Sequence, residues 1–191
     1  MASLKSKLLL LLLCVCSTLL LSAKENTAAT VEKETEIRDA STFFDESLND
    51  MQEEKETATD EGKKGILLMF EMDECPFCAR MKKTVLNRGK VQDYFREHFR
   101  ILAVDIEGDL ELTDFSGNDT TQKDFSLKQF RVRATPVFQF LDLEGKPIKN
   151  GRLTGATRDA NEFMMLGQYI VEGENENMPF VRYKRKQKKI N

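Results

Sequence analysis

The chain has no tryptophan, one histidine and four cysteines in 191 residues. With His98 as the single imidazole and Cys14 and Cys16 inside an apolar leader run, the residues after that run lack the second cysteine or histidine pair that a tetrahedral zinc centre takes, so neither a metal nor an added cofactor is expected. Charge of one sign is missing too: 29 Lys and Arg against 32 Asp and Glu leave a formal net charge of −3, which gives no case for nucleic acid. Long apolar runs are scarce. The only one, residues 8–21, is shorter than the roughly 20 residues of a spanning helix. No internal repeat is visible, and the length fits one domain. What the chain does have is phenylalanine, thirteen in all, enough for an aromatic-assisted core.

Lys5 and Lys7 precede the apolar run, which ends in Ser22-Ala23 before Lys24-Glu25. This is the charged, apolar and small-residue order of a secretory signal, so residues 1–23 are read as a signal peptide cleaved after Ala23, with a retained anchor as the alternative. Cys14 and Cys16 lie inside the run, where Leu13 and Val15 occupy the places at which a lipid-modified cysteine needs a small residue. Residues 24–40, rich in Thr, Glu and Ala, read as a flexible acidic linker, residues 41–176 as the folded domain and residues 177–191 as a basic C-terminal tail. Export places the remaining cysteines in an oxidising compartment.

Those cysteines form Cys75-Pro76-Phe77-Cys78, directly after the apolar run at residues 66–70. A pair that follows a strand and opens a helix puts its first sulfur at the helix N-terminus, where unpaired N–H groups and the macrodipole favour thiolate. Pro76 suits the first helical turn, because its missing N–H costs nothing there. Cys75 is then the exposed nucleophile and Cys78, one turn inside, the resolving sulfur. A structural staple is the bland alternative, but a bridge closing so short a loop constrains little. Met69, Met72 and Met81 read as core or site lining, since their spacing does not make thioether ligands converge. His98 reads as a helix-end or surface residue.

Periodicity predicts a helix from Ser41, capped by Ser41 or Thr42 and ending at Gly62 and Gly65, then a strand over 66–70 and a helix through Met81 and Val85 to a stop at Asn87-Arg88-Gly89. Helix continues beyond that stop, followed by a strand over 101–106, a polar turn-rich stretch over 107–124 and a short helix over 125–130. Strands over 137–141 and 149–153, joined by the turn Glu144-Gly145-Lys146-Pro147, lead to a final helix over 158–171. Crossovers first and a hairpin last give an α/β fold, a mixed central sheet flanked by helices.

Residues 66–70 with Cys75-Pro76-Phe77-Cys78, then Thr135-Pro136 before the strand at 137, then Asp142-Leu143-Glu144-Gly145-Lys146 running to Gly155, resemble the thioredoxin superfamily in order and spacing. The helix before the first strand, the proline-first dipeptide and the Asp114-Phe115-Ser116-Gly117 insertion look most like its exported SoxW-like members, found with sulfur-oxidation genes. The resemblance implies a thioredoxin-like fold and a periplasmic thiol-disulfide oxidoreductase with Cys75 and Cys78 as catalytic residues and as the redox-active disulfide. It also implies a cis Thr135-Pro136 bond beside the sulfurs, with Pro76, Phe77, Thr135 and Pro136 meeting a protein disulfide substrate, and a membrane thiol transporter as reductant. A disulfide oxidase or isomerase, or a redox-inactive binding module, are the alternatives. Two positions depart from the pattern: Met69 stands where the family keeps a buried Asp, and Glu74 where it keeps a Trp. The acids Glu71, Asp73 and Glu74 are expected to oppose the Cys75 thiolate, and the proton acceptor for Cys78 is left open. Arg182 to Lys189 reads as a solvated disordered end, with weak contact to an anionic membrane surface as the functional alternative.

Overall fold

Seven residues, Gly65–Glu71, form strand β1, six of them buried. An apolar run without alternation marks a strand covered on both faces, and β1 is central. Strand β2 (Phe99–Asp105) pairs with it in parallel, Gly65 opposite Phe99 and Glu71 opposite Asp105. On the other side β5 (Val137–Leu141) runs antiparallel, Phe70 opposite Val137, and β6 (Pro147–Thr154) completes the order β2-β1-β5-β6. Two further strands, β3 (Glu111–Thr113) and β4 (Asp119–Thr121), make a separate hairpin. The structure, a computed structural model, describes residues 36–190. The signal segment and residues 24–35 of the acidic linker lie outside the described residues. No helix among the described residues is long and apolar enough to cross a membrane.

The period of β1 divides the core. Leu67 and Met69 face a cluster with Phe95, Phe99, Phe138 and Phe163, while Ile66, Leu68 and Phe70 face Met51, Val104, Phe125 and Phe130. The helices that cover these faces have identifiable starts. Asp50 caps α1 (Met51–Asp60), its carboxylate accepting from the Gln52 and Glu53 N–H groups. Helix α2 (Pro76–Met81) begins at Cys75 and continues as a π-helical turn, Lys82–Leu86. Helix α3 (Gly89–His98) follows; α4 (Gln122–Asp124), capped by Thr121, runs into a second π turn, Phe125–Gln129. Asp159 caps α5 (Ala160–Val171), and α6 (Phe180–Ile190) ends the described chain. At the β5–β6 turn Gly145 takes φ 78°, and the Asp142 carboxylate accepts from the Glu144 and Lys146 N–H groups.

Four segments differ from the sequence expectation. The helix from Ser41 is instead a 3-10 turn, Ala40–Phe43, capped by Asp39, and α1 starts only after Asn49 at φ 64°. Leu48, which falls at helical spacing between Phe44 and Met51, is 90% exposed; the apparent period joined two elements across a break. The folded body starts at Ile37, not Ser41: Ile37 bridges Arg88, and the Arg38 N–H donates to the Asn87 carbonyl. The stretch 107–124 contains the β3–β4 hairpin, whose turn is organised by the buried Asp114 accepting from the Ser116 and Asn118 N–H groups and from Gln129. Residues 177–191 are not a solvated end, since α6 buries Phe180 and Tyr183 against Tyr169 of α5. Lys184 pairs with Glu162 there. Charge density hid an aromatic stripe one turn wide.

Candidate functional site

The C-terminal end of β1 hands the chain through Met72, Asp73 and Glu74 to Cys75, the N-cap of α2. Pro76 fills the first helical position, where no N–H is needed. The Cys78 N–H donates to Cys75 Sγ at 3.1 Å, and the Ala79 N–H donates to the Cys75 carbonyl. Cys75 and Cys78 are joined by a disulfide, with Cα atoms 5.2 Å apart. The two sulfurs are nearly equally covered: Cys75 is 5% and Cys78 3% exposed, so the expected exposed first cysteine is instead buried in this bonded state. Its neighbours Glu74, Pro76 and Phe77 are exposed, Phe77 by 59%.

The Thr135-Pro136 bond is cis. Val137, the next residue, pairs with Phe70, so this loop and the cysteine motif share one end of the sheet. The Gly155 N–H donates to the Pro136 carbonyl at 2.8 Å, which ties the loop to the end of β6. The Thr135 hydroxyl oxygen is covered and has no hydrogen-bond partner among the described residues. His98 lies at the opposite end, where Gly65 and Phe99 are in register; its ring stacks on Tyr94, with Nδ1 2.8 Å from the Tyr94 carbonyl oxygen.

A cleft of about 180 Å³ opens beside the disulfide. Glu71, Met72, Asp73, Ala79, Lys82 and Asp105 line it together with both cysteines, whereas Phe77, Thr135 and Pro136 do not. Lys82 Nζ lies 2.9 Å from Glu71 Oε1 and 2.7 Å from Oε2. The acidic group expected to weigh on Cys75 is therefore partly offset by a cation from the next helical turn. Met69 is fully buried in the same cluster as both cysteines and offers no titratable group. Sequence reasoning missed Lys82 and Asp105. Lys82 could have been found from its spacing, four residues after Cys78 and so on the same helix face; Asp105 needed the β1–β2 register. On α2, Arg80 donates to the Thr157 carbonyl at 2.6 Å and fastens the helix to the loop before α5.

A cysteine pair at a helix start, beside a polar cleft and at the same end as a cis-proline loop, can exchange with an external thiol when bonded and with an external disulfide when reduced. No curated protein matches the chain. Among solved structures it is similar to a thioredoxin-fold protein from Helicobacter pylori, with 23% identity over 66% of this chain and 87% of that one and a TM-score of 0.51. It is also similar to a thioredoxin from Thermus thermophilus, with 25% identity over 66% of this chain and 88% of that one and a TM-score of 0.50. A thioredoxin-like domain model matches residues 51–170, from the start of α1 to the last turn of α5. With the fold, the cysteine motif and that match in agreement, the chain belongs to the thioredoxin-like family.

Proposed function

We propose that the protein is an exported thiol-disulfide oxidoreductase that reduces disulfides in other proteins through Cys75 and Cys78. The observation that carries this reading is the disulfide at the start of α2 with a polar cleft against it. In the reduced state Cys75, at the helix N-cap, attacks a substrate disulfide and forms a mixed disulfide. Cys78 then displaces the substrate sulfur, and the pair ends oxidised while the substrate ends reduced. Exposed Pro76 and Phe77 meet the substrate, together with the half-buried Thr135 and the backbone before buried Pro136 at the same end of the sheet. The spent pair needs a reductant, and outside the cytoplasm a membrane thiol transporter fills that role. No further cofactor is involved.

Residues 1–23 act as the export signal and residues 24–36 as a spacer, with the folded domain in the periplasm. The SoxW-like features tie it to a sulfur-oxidation system. Helix α6 presents Arg182, Arg185, Lys188 and Lys189 to solvent, a charge density suited to weak contact with an anionic membrane surface.

The deciding measurement is the potential of the Cys75–Cys78 couple by equilibration with glutathione. A reductase is expected in the range of roughly −270 to −200 mV. A value near about −120 mV makes the protein a disulfide donor and overturns the reductase reading.

A further inference from the structure

We propose that Glu71 takes the proton from Cys78 when this thiol resolves the mixed disulfide, and that Lys82 positions Glu71 for it. The inference rests on the oxidoreductase reading above and names a group that reading leaves unassigned. Cys78 is 3% exposed, so its proton meets solvent only through the cleft it lines. Met69 and Met81, fully buried in the same cluster, are apolar and accept no proton. The cleft is where Cys78 meets polar groups.

Four charged side chains face that cleft: Glu71 from β1, Asp73 from the loop, Lys82 from the π turn that continues α2 and Asp105 from β2. A protonated lysine only donates. Asp105 is committed to its own turn, its Oδ1 accepting the Glu107 N–H at 2.9 Å, and Asp73 is exposed to solvent. Glu71 is the carboxylate that is both sheltered, with its side chain 18% exposed, and held by a partner from the cysteine helix. Both its oxygens lie within 3 Å of Lys82 Nζ, and each keeps a free lone pair for a proton. The cleft, about 180 Å³, has room for the one water through which a general base can act.

The Cys78 S–H proton moves to Glu71, and the Cys78 thiolate attacks Cys75 Sγ. The Cys75–Cys78 bond forms, while the bond from Cys75 to the substrate sulfur breaks with its electron pair on the leaving sulfur. That thiolate then recovers the proton from Glu71. The dithiol loses two electrons and the substrate disulfide gains them.

Reduced protein mixed with an aromatic nitrobenzoate disulfide releases its coloured thiolate twice, first on attack by Cys75 and then on resolution by Cys78. In Glu71→Gln the second phase is expected to slow at least about tenfold near neutral pH, a modest share of what a positioned base contributes. The deficit should close as pH approaches about 8.5, where a thiol ionises unaided. The first phase should be unchanged or faster, since a negative charge near Cys75 is gone. Glu71→Asp, which keeps the carboxylate, should recover part of the second phase. A folded Glu71→Gln with a wild-type second phase overturns the assignment, as does a deficit that is the same at every pH. A wild-type chain that releases only one equivalent, or none, overturns the oxidoreductase reading instead.

Discussion

Cys75 and Cys78 differ by two per cent in exposure, so accessibility does not decide which sulfur attacks. Position does. Cys75 Sγ accepts the Cys78 N–H at the open end of α2, whereas Cys78 lies inside the first turn of that helix. Cys78→Ser should therefore accumulate mixed disulfides with substrate proteins, visible on non-reducing gels, and Cys75→Ser should not; trapping through Cys78 would reverse the order. Phe77 carries a separate expectation, because a ring 59% exposed beside the sulfurs has no core role. Phe77→Ser should weaken turnover of a protein substrate while leaving stability and reactivity toward a small disulfide near wild type. A loss of thermal stability would mark the ring as structural. The cysteines and Thr135-Pro136 were legible in the sequence because their chemistry lies in a short local string. Glu71 with Asp105 was not, since the two acids stand 34 positions apart and meet only through strand register.

Elements explain where periodicity succeeded and failed. β1 read correctly because an unbroken apolar run has few other uses, and β5 because its short run is interrupted only by Gln139, but the segment before α1 misled because Phe44 and Leu48 mimic a helical stripe across a backbone break at Asn49. Packing between elements is tight where α3 crosses α5. A Cβ at Gly167 would lie 2.8 Å from Phe95 Cζ, and that ring is stacked on Phe163 at 4.5 Å with Phe99 behind it. Gly167→Ala gains about 1 kcal/mol in helix propensity but should lose more than that to overpacking, typically ~1–3 kcal/mol, and a denaturation midpoint at or above wild type would contradict this. Arg100 ties α1 to β2: its Nε lies 2.6 Å from Glu54 Oε2, and Asp45 lies 3.6 Å from its Nη1. Arg100→Ala leaves buried Glu54 without its cation, so a loss of roughly 3 kcal/mol is expected by chemical denaturation, at the low end for a broken buried pair.

At the scale of the whole molecule, the last helix is held by groups that titrate at opposite ends of the pH range. Burial pushes the Glu162 carboxyl up, but Lys184 and the Arg158 N–H outweigh it and hold the group below the usual carboxylate range. Its contribution is present above the unfolded value near about 4.3 and is lost as pH falls through the lower folded value. Burial, with Glu176 and Glu174 nearby, pushes the Tyr169 phenol up to about 12, and its hydroxyl donates to the Met178 carbonyl at 2.6 Å. That stabilisation is complete below about pH 10 and lost as pH rises through the folded value. Hydrogen exchange in α6 should therefore accelerate, relative to β1, in acid below about pH 4 and again in strong alkali. Glu162→Gln should abolish the acid limb alone. The sheet has its own protection. On the free edge of β2 the Asp45 N–H donates to the Ile101 carbonyl while the Asp45 carboxylate accepts the Ile101 N–H, so one residue imitates a neighbouring strand. On the far side, the Asn175 side chain donates to the Lys149 carbonyl of β6, and Asn150 donates back to the Asn175 carbonyl. An unguarded margin is where sheets of separate molecules zip into fibrils. With both margins stoppered by side chains, crowding at high concentration finds little template for polymerisation, and Asp45→Ala should be the variant that clouds first on gentle heating.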